Sequence, residues 1–429
     1  MVLDVGSSTG ARRYLRFRSS TTWGVNKSMR TAFLGITALA AGGFAAIVSG
    51  RPALAQQQGL QIGLGGYFHA YYVFGSQDKD GAGQPANARR GDDFKREAEI
   101  HVKGTTTLDN GLTIGIRVEL EAETSADQID ESYLFFQGSW GRLILGSENS
   151  AAYLMSVAGR PVDDNFDGGD PTYRIFQPGG NRAVTGGGTA ICGGGGFILA
   201  PTVSGDSEKV TYISPRWNGF QAGLSFTGDN SEDAMVGQVN AKGGTFIGMP
   251  LDNRAGLTQN VIEMAVNYTG GVGPVKLATA VTFGHADVEA RAGLANLAAD
   301  FNEVSAGFLV EYAGFDLGFG YYWSDSGLGR NGDRDAFVAT AGYSWSAFRA
   351  GFSYTDISQE AGTTTAVNGG VRDDRFRRYT IGGAYIFGPG LELRASVHIH
   401  DLDGPDNSRT AANDRNDSVF FVCGTMVSF

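Results

Sequence analysis

Cysteine is almost missing from this chain of 429 residues: Cys192 and Cys423 are the two it has. That count excludes a disulfide-stapled secreted scaffold. Cys192 falls in a glycine-rich stretch and Cys423 in the last apolar segment, so a bridge between them is not expected. Histidine is sparse (5), and no nucleophile elbow, zinc motif or phosphate loop is present, so no enzyme chemistry, cofactor or metal centre is expected. Positive charge is in deficit. Seven of the 34 basic and one of the 45 acidic residues precede Gln56, which leaves 27 and 44 beyond it, a net of −17. That balance argues against nucleic acid as a partner. After Gln56 no apolar run approaches the roughly 18 residues of a membrane helix. Proline is scarce (11), whereas glycine is abundant (65) without a collagen-like period; many short strands joined by tight turns would explain the glycine.

The long apolar run that does exist lies near the start. Residues 31–48, TAFLGITALAAGGFAAIV, carry no charge; Lys27 and Arg30 precede them, and Ala53-Leu54-Ala55 and then Gln56 follow. A basic start, an apolar middle and a small-residue exit make a secretory signal. A membrane-helix anchor is the competing reading, but the run is rich in Ala and Gly rather than Leu. Residues 1–55 are therefore expected to be a leader and cleavable signal peptide, with Met29 a normal start for it, and residues 56–429 the folded part.

What fills the rest is alternation with period two. Leu60, Ile62, Leu64, Gly66, Phe68, Ala70, Tyr72 and Phe74 share one face of a first segment. In the hairpin at 94–124, Ala98, Ile100, Val102 and Leu108 alternate with Glu97, Glu99, His101 and Lys103. Asp109-Asn110-Gly111 then turns the chain, and Leu112, Ile114, Ile116, Val118 and Leu120 alternate with Arg117, Glu119, Glu121 and Glu123. One face is apolar and the other densely charged. The pattern predicts sixteen strands, near 60–75, 93–108, 112–124, 129–138, 141–147, 208–215, 219–228, 261–270, 274–284, 302–312, 315–324, 335–345, 347–357, 375–387, 391–401 and 417–429. Most suit the about 9–11 residues of a tilted membrane strand. Short connections alternate with long ones, and Trp140, Trp217, Tyr268, Tyr312, Phe315, Trp345, Phe348, Phe387 and Phe429 gather near the short turns or the C-terminus. The expected fold is all-β, a transmembrane antiparallel barrel of about 16 strands with short periplasmic turns, long external loops and an aromatic girdle. Tyr133-Leu134-Phe135-Phe136 breaks the alternation, as a strand buried on both sides or packed on another subunit does.

These segments resemble the Gram-negative porins, particularly the alphaproteobacterial kind. The resemblance is carried by LGGYFHAYYVF (64–74), TTLDNGLTIGIRVELEAE (106–123), IDESYLFFQGSWGRLILGSENSAAYLM (129–155), SGDSEKVTYISPRWNGFQAGLSF (204–226) and FFVCGTMVSF (420–429). It implies a trimer of sixteen-stranded barrels in the outer membrane, each with its third external loop folded into the pore. Lipid, lipopolysaccharide, the barrel-assembly machinery and small hydrophilic solutes would be its partners. The run from Tyr133 to Phe136 is the expected trimer contact, on a strand thought to neighbour the first and last strands through the closing seam. Phe429, with Val427 and Phe421 on its face, is the expected assembly signal.

A diffusion channel needs a closed wall and a polar lumen, filtered by width and charge. The connection at about 148–207 is too long for a simple surface loop. Its Asp163, Asp164, Asp167 and Asp170 are the expected constriction, opposed on the wall by Lys103, Arg117, Glu119, Glu121 and Arg394. Calcium held by the loop carboxylates is the alternative. His398 and His400 share a strand face, as lumen lining rather than a metal pair. The net expectation is a passive channel with mild cation preference. The alternatives are a substrate-selective channel for anions or sugars and, less favoured, a barrel enzyme or adhesin without a through-channel.

Overall fold

The computed structural model describes residues 59–77, 90–122, 128–160, 200–230, 258–289, 300–325, 333–359, 374–403 and 416–429. The chain divides at Gln56, and the second unit, from Gln57 to Phe429, contains all of these residues. Sixteen strands run in chain order: β1 (Gln61–Gln77), β2 (Asp92–Thr107), β3 (Thr113–Glu121), β4 (Ile129–Gly138), β5 (Gly141–Ser147), β6 (Glu208–Ile213), β7 (Phe220–Asp229) and β8 (Thr258–Val272). They continue as β9 (Val275–Val288), β10 (Phe301–Tyr312), β11 (Phe315–Ser324), β12 (Arg334–Trp345), β13 (Phe348–Gln359), β14 (Asp374–Gly388), β15 (Leu391–Asp403) and β16 (Asn416–Ser428). Each pairs antiparallel with its sequence neighbours, and β1 pairs with β16, so the sheet closes and leaves no edge. All sixteen predicted segments are present.

Alternation sorts the side chains as expected. Ile62, Leu64, Phe68, Ile100, Ile116, Val281, Phe308 and Ile381 are exposed on the outer face, while Glu119, Thr211, Ser225, Thr282, Ser353 and Thr380 are buried on the inner one. Each strand is laddered on both sides, with register shifts between β3 and β4, β8 and β9, and β14 and β15, and a closed ladder is what a lipid-facing wall requires. Short turns pass through positive φ: Asn218-Gly219 (46° and 91°) and Ala313-Gly314 (49° and 88°) both have the mirror-image geometry that suits strand twist. Beside these turns the aromatics touch one another. Trp140 stacks on Tyr212, Phe220 meets Tyr268, and Tyr343, Trp345, Phe348, Tyr385 and Phe387 form a continuous row.

Two expectations about β4 need correction. The run from Tyr133 to Phe136 is not one outward strip. Tyr133 and Phe135 face inward, where they cluster with Ile144 and receive the Arg142 guanidinium over the Phe135 ring at 4.3 Å; only Leu134 and Phe136 face out. Nor does β4 adjoin the seam: it pairs with β3 and β5. The run reads as continuous because apolar residues stand on both faces of β4, the inner ones packed within the barrel's own wall.

Candidate functional site

The third long connection leaves β5 and turns into the barrel. Ser150 caps a single helical turn, α1 (Ala151–Leu154), by accepting from the Tyr153 N–H. The Ala151 N–H donates to Ser225 Oγ on β7 at 2.7 Å, and Asn267 Nδ2 on β8 donates to the Met155 carbonyl at 3.2 Å. The chain then runs across the inner wall at positions that lack side chains. A Cβ at Gly307 on β10 would strike the Val157 carbonyl, and one at Gly318 on β11 would strike the Gly159 backbone. Gly223 on β7 leaves room for the Met155 and Ala151 side chains, and Gly284 on β9 for the Pro201 ring. At Gly307 and Gly318 glycine serves close approach of one backbone to another.

Both described ends of the connection are held by two clamps. Lys209 Nζ on β6 donates to the carbonyls of Glu148 and Gly205. The Glu263 carboxylate on β8 accepts from Ser150 Oγ at 3.0 Å and from Ser204 Oγ. Glu303 on β10 adds a third tie, accepting from the Thr202 N–H at 3.3 Å and from the Tyr322 hydroxyl. Glu263 and Glu303 are each 1% exposed, so these carboxylates are spent on holding the loop rather than facing water. None of these residues was singled out from the sequence. The available signal was a lone glutamate in an otherwise apolar or small strand, VIEMAV at 261–266 and FNEVSAG at 301–307.

Of the expected constriction residues, Asp163, Asp164, Asp167 and Asp170 lie outside the described residues, as do Arg174 and Cys192. Arg160, at the last described position of the incoming segment, pairs with Glu311 at 3.2 Å. Lys103, Arg117, Glu119 and Glu121 do come together on the inner face: register sets Lys103 beside Arg117, His101 beside Glu119 and Glu99 beside Glu121. Arg117 contacts Glu119 and stands 3.0 Å from His101 Nδ1, while His101 Nε2 lies 2.7 Å from Glu99 and 3.1 Å from Glu119. The Tyr67 hydroxyl donates to Glu99 at 2.6 Å. Arg394 is apart from this group, on β15, paired with Glu392 of its own strand at 2.8 Å.

Two inward arginines accompany Arg394 on the neighbouring strands. Arg349 on β13 donates to Asp316 at 3.0 Å, and Arg378 on β14 donates to Thr355 at 3.4 Å. Arg394 alone of this stripe was expected on the wall; the stripe itself has no cue in the chain, because its members lie in three separate strands. His398 and His400 are fully covered on the inner face, hydrogen-bonded to Ser396 at 2.9 Å and Ser418 at 3.0 Å. On the outer face Val419, Phe421, Val427 and Phe429 are exposed, and Cys423 is a free thiol.

Comparison with known proteins agrees with this architecture. The model of a family described as Gram-negative porin matches residues 35–245 and 230–423. Among solved structures, the anion-selective porin from Comamonas acidovorans is 16% identical, with a TM-score of 0.54 over 86% of this chain and 100% of that one. The in-vitro folded outer membrane protein OmpT of Vibrio cholerae is 14% identical, with a TM-score of 0.52 over 88% of this chain and 100% of that one. Its trimer form is 15% identical, with a TM-score of 0.51 over 87% and 100%. At such identities the likeness is one of fold. No curated protein matches the chain in sequence.

Proposed function

The chain belongs to the Gram-negative porin family and forms an outer-membrane channel, and from that premise we propose that it passes ions and small hydrophilic solutes by passive diffusion, with mild cation preference and no catalytic step. The observation that carries the reading is the clamped third connection. Lys209 and Glu263 hold both its described ends against the inner wall, which supports reading its middle, with Asp163, Asp164, Asp167 and Asp170, as the part that narrows the passage. Charges at a narrow passage act within a Debye length of about 10 Å at 0.1 M salt, whereas those on outer loops are largely screened. Glu97, Glu99, Glu119 and Glu121 on β2 and β3 add to the acidic field, and Lys103 and Arg117 offset part of it. In a KCl gradient the protein in a planar bilayer should give a cation-signed reversal potential that shrinks as salt rises. Replacing the four loop aspartates by Asn should move it toward anions. An anion-signed wild-type potential, or no shift in the quadruple variant, rejects the acidic filter. A second reading, an anion-preferring channel, draws on inward Arg349, Arg378 and Arg394, and the sign of the same potential decides between them.

The assembly is read as a homotrimer. β5 and β6 have 7 and 6 residues, about 23 and 20 Å at 3.3 Å per residue, and less once tilted. The apolar band of such barrels is about 25 Å tall. A wall this short leaves irregular backbone at membrane depth, which is tolerated where protein covers it; Leu134, Phe136, Val210 and Tyr212 on the outer face are the surface for a second copy. Mass photometry in detergent should count three chains, and a monomer at all concentrations rejects the reading. On the same premise residues 1–55 are the leader and signal, removed before Gln56, so N-terminal sequencing of the exported protein should begin there. Outward Arg375 and Arg377 at the long-loop end of β14 suit contact with lipopolysaccharide phosphates. Phe429, Val427 and Phe421 present the face read by the barrel-assembly machinery.

A further inference from the structure

Among the described residues two clusters bring a histidine and two carboxylates to within 4.8 Å of one another: Glu99, His101 and Glu119 on the inner wall, and His285, Asp287 and Asp300 at the root of the connection between β9 and β10. Their compositions are nearly the same. They differ in which imidazole nitrogen carries the proton, and that decides which of them can hold a cation.

In the first cluster Arg117 Nη2 stands 3.0 Å from His101 Nδ1. A guanidinium only donates, so Nδ1 accepts and the proton sits on Nε2, which donates to Glu99 at 2.7 Å. No ring lone pair faces the carboxylates, and Arg117 is already the cation among them.

The second cluster is wired in the opposite sense. Asp325 accepts from the Asn302 backbone N–H at 2.7 Å and from its Nδ2 at 2.6 Å. A carboxylate acceptor commits that amide nitrogen, so Asn302 turns its Oδ1 to His285 Nδ1 at 2.9 Å. Nδ1 must then donate, and the neutral ring presents the lone pair of Nε2 to Asp287, whose Oδ1 lies 3.6 Å away. The other oxygen of Asp287 accepts from Asn260 Nδ2 at 2.9 Å. Asn260 sits at φ 53°, where the register of β8 on β9 shifts between Gln259 and Ile262, and such a bulge re-aims a side chain. Among the described residues no lysine or arginine pairs with Asp287 or Asp300.

An imidazole oriented through Nδ1 by an acceptor, itself fixed by a carboxylate, is the outer-sphere arrangement of a metal-ligating histidine. Two ligands at about 2.0–2.1 Å from a tetrahedral zinc ion stand about 3.4 Å apart, close to the 3.6 Å between Nε2 and Oδ1. We propose that His285 Nε2, Asp287 Oδ1 and one oxygen of Asp300 bind a divalent first-row transition ion of the zinc class, with water completing the shell. The site lies on the outer face toward the long loops: His285 and Asp287 share the face of exposed Val281, opposite inward Thr282 and Ala286. Asp287 and Asp300 flank the connection between β9 and β10, so the ion ties its two ends together.

The test uses the purified, folded barrel stripped by chelator and titrated with Co²⁺, followed by its visible absorption, with Zn²⁺ as competitor. One Co²⁺ per chain should bind and be displaced by Zn²⁺. His285→Gln and Asp300→Asn should each weaken binding at least tenfold. Asn302→Ala, which keeps all three ligands and frees the ring, should weaken it roughly tenfold. Heat-modifiable mobility establishes that each variant is folded. Absence of Co²⁺ binding, binding indifferent to His285→Gln, or binding lost in Glu119→Gln, which assigns the ion to the lumen, overturns the proposal.

Discussion

The inner wall carries two charged stretches, one on either side of the β1–β16 seam, and they are built differently. On β2–β4 the charges are cross-linked: His101 touches Glu99 and Glu119, Arg117 reaches His101 and Glu119, and Tyr67 ties in from β1. On β13–β15 each arginine has its own acceptor on a different residue: Asp316 for Arg349, Thr355 for Arg378 and Glu392 for Arg394. A substitution in the first stretch disturbs a network and changes charge at once. One in the second parts an arginine from an acceptor that the other two named arginines do not use, so charge there is spread over separate partners rather than one network.

The strongest way to break the comparison is to part the two stretches. Phe429 and Gly66 exchange both backbone hydrogen bonds, each 3.1 Å, at the end of the seam. Deleting Phe429 removes both, about 0.5–1.5 kcal/mol each, together with the exposed terminal ring. Heat-modifiable electrophoresis of outer membranes should show most of the folded barrel lost; normal levels would refute this. A smaller change loosens the third connection at its described ends. Glu263→Ala deprives the Ser150 and Ser204 hydroxyls of their acceptor, at about 1–3 kcal/mol for a buried polar group left unsatisfied. Single-channel conductance should rise and ion selectivity fall, and a channel of unchanged conductance would mean that the clamp does not hold the constriction. The smallest effect sharpens the comparison. Arg349→Gln, Arg378→Gln and Arg394→Gln combined should keep the barrel folded and move the reversal potential toward cations at low salt. At 1 M, where the Debye length is about 3 Å, the shift should nearly vanish; a shift independent of salt would point to altered pore width instead.

Much of this was legible in the chain. Alternation marked the strands other than β4 because lipid and lumen impose opposite chemistry on successive residues, and Asp109-Asn110-Gly111 marked its turn. The charged face of β2 and β3 was readable because those strands are neighbours in sequence. The arginine stripe, the glycine positions under the third connection and the roles of Glu263 and Glu303 were not. Each depends on which residues of distant segments meet on a curved wall, and a strand shows its period without showing what crosses it. The run at Tyr133 misled for the same reason: an inner face packed on its own barrel and an apolar outer face look alike in sequence.

The mutual bonding of Gly66 and Phe429 also sets an order of events. Every other strand pairing joins neighbours, so it can zip from an adjacent hairpin. This one joins positions roughly 360 residues apart, and closing a free loop of that length costs about 3 kcal/mol more entropy than closing one of ten residues. The cost falls once the intervening strands have paired, because the growing, twisting sheet carries its two ends toward each other. Closure is thus cheapest as the last stitch, and until it forms β1 and β16 each present a bare row of N–H and C=O groups open to pairing with another chain.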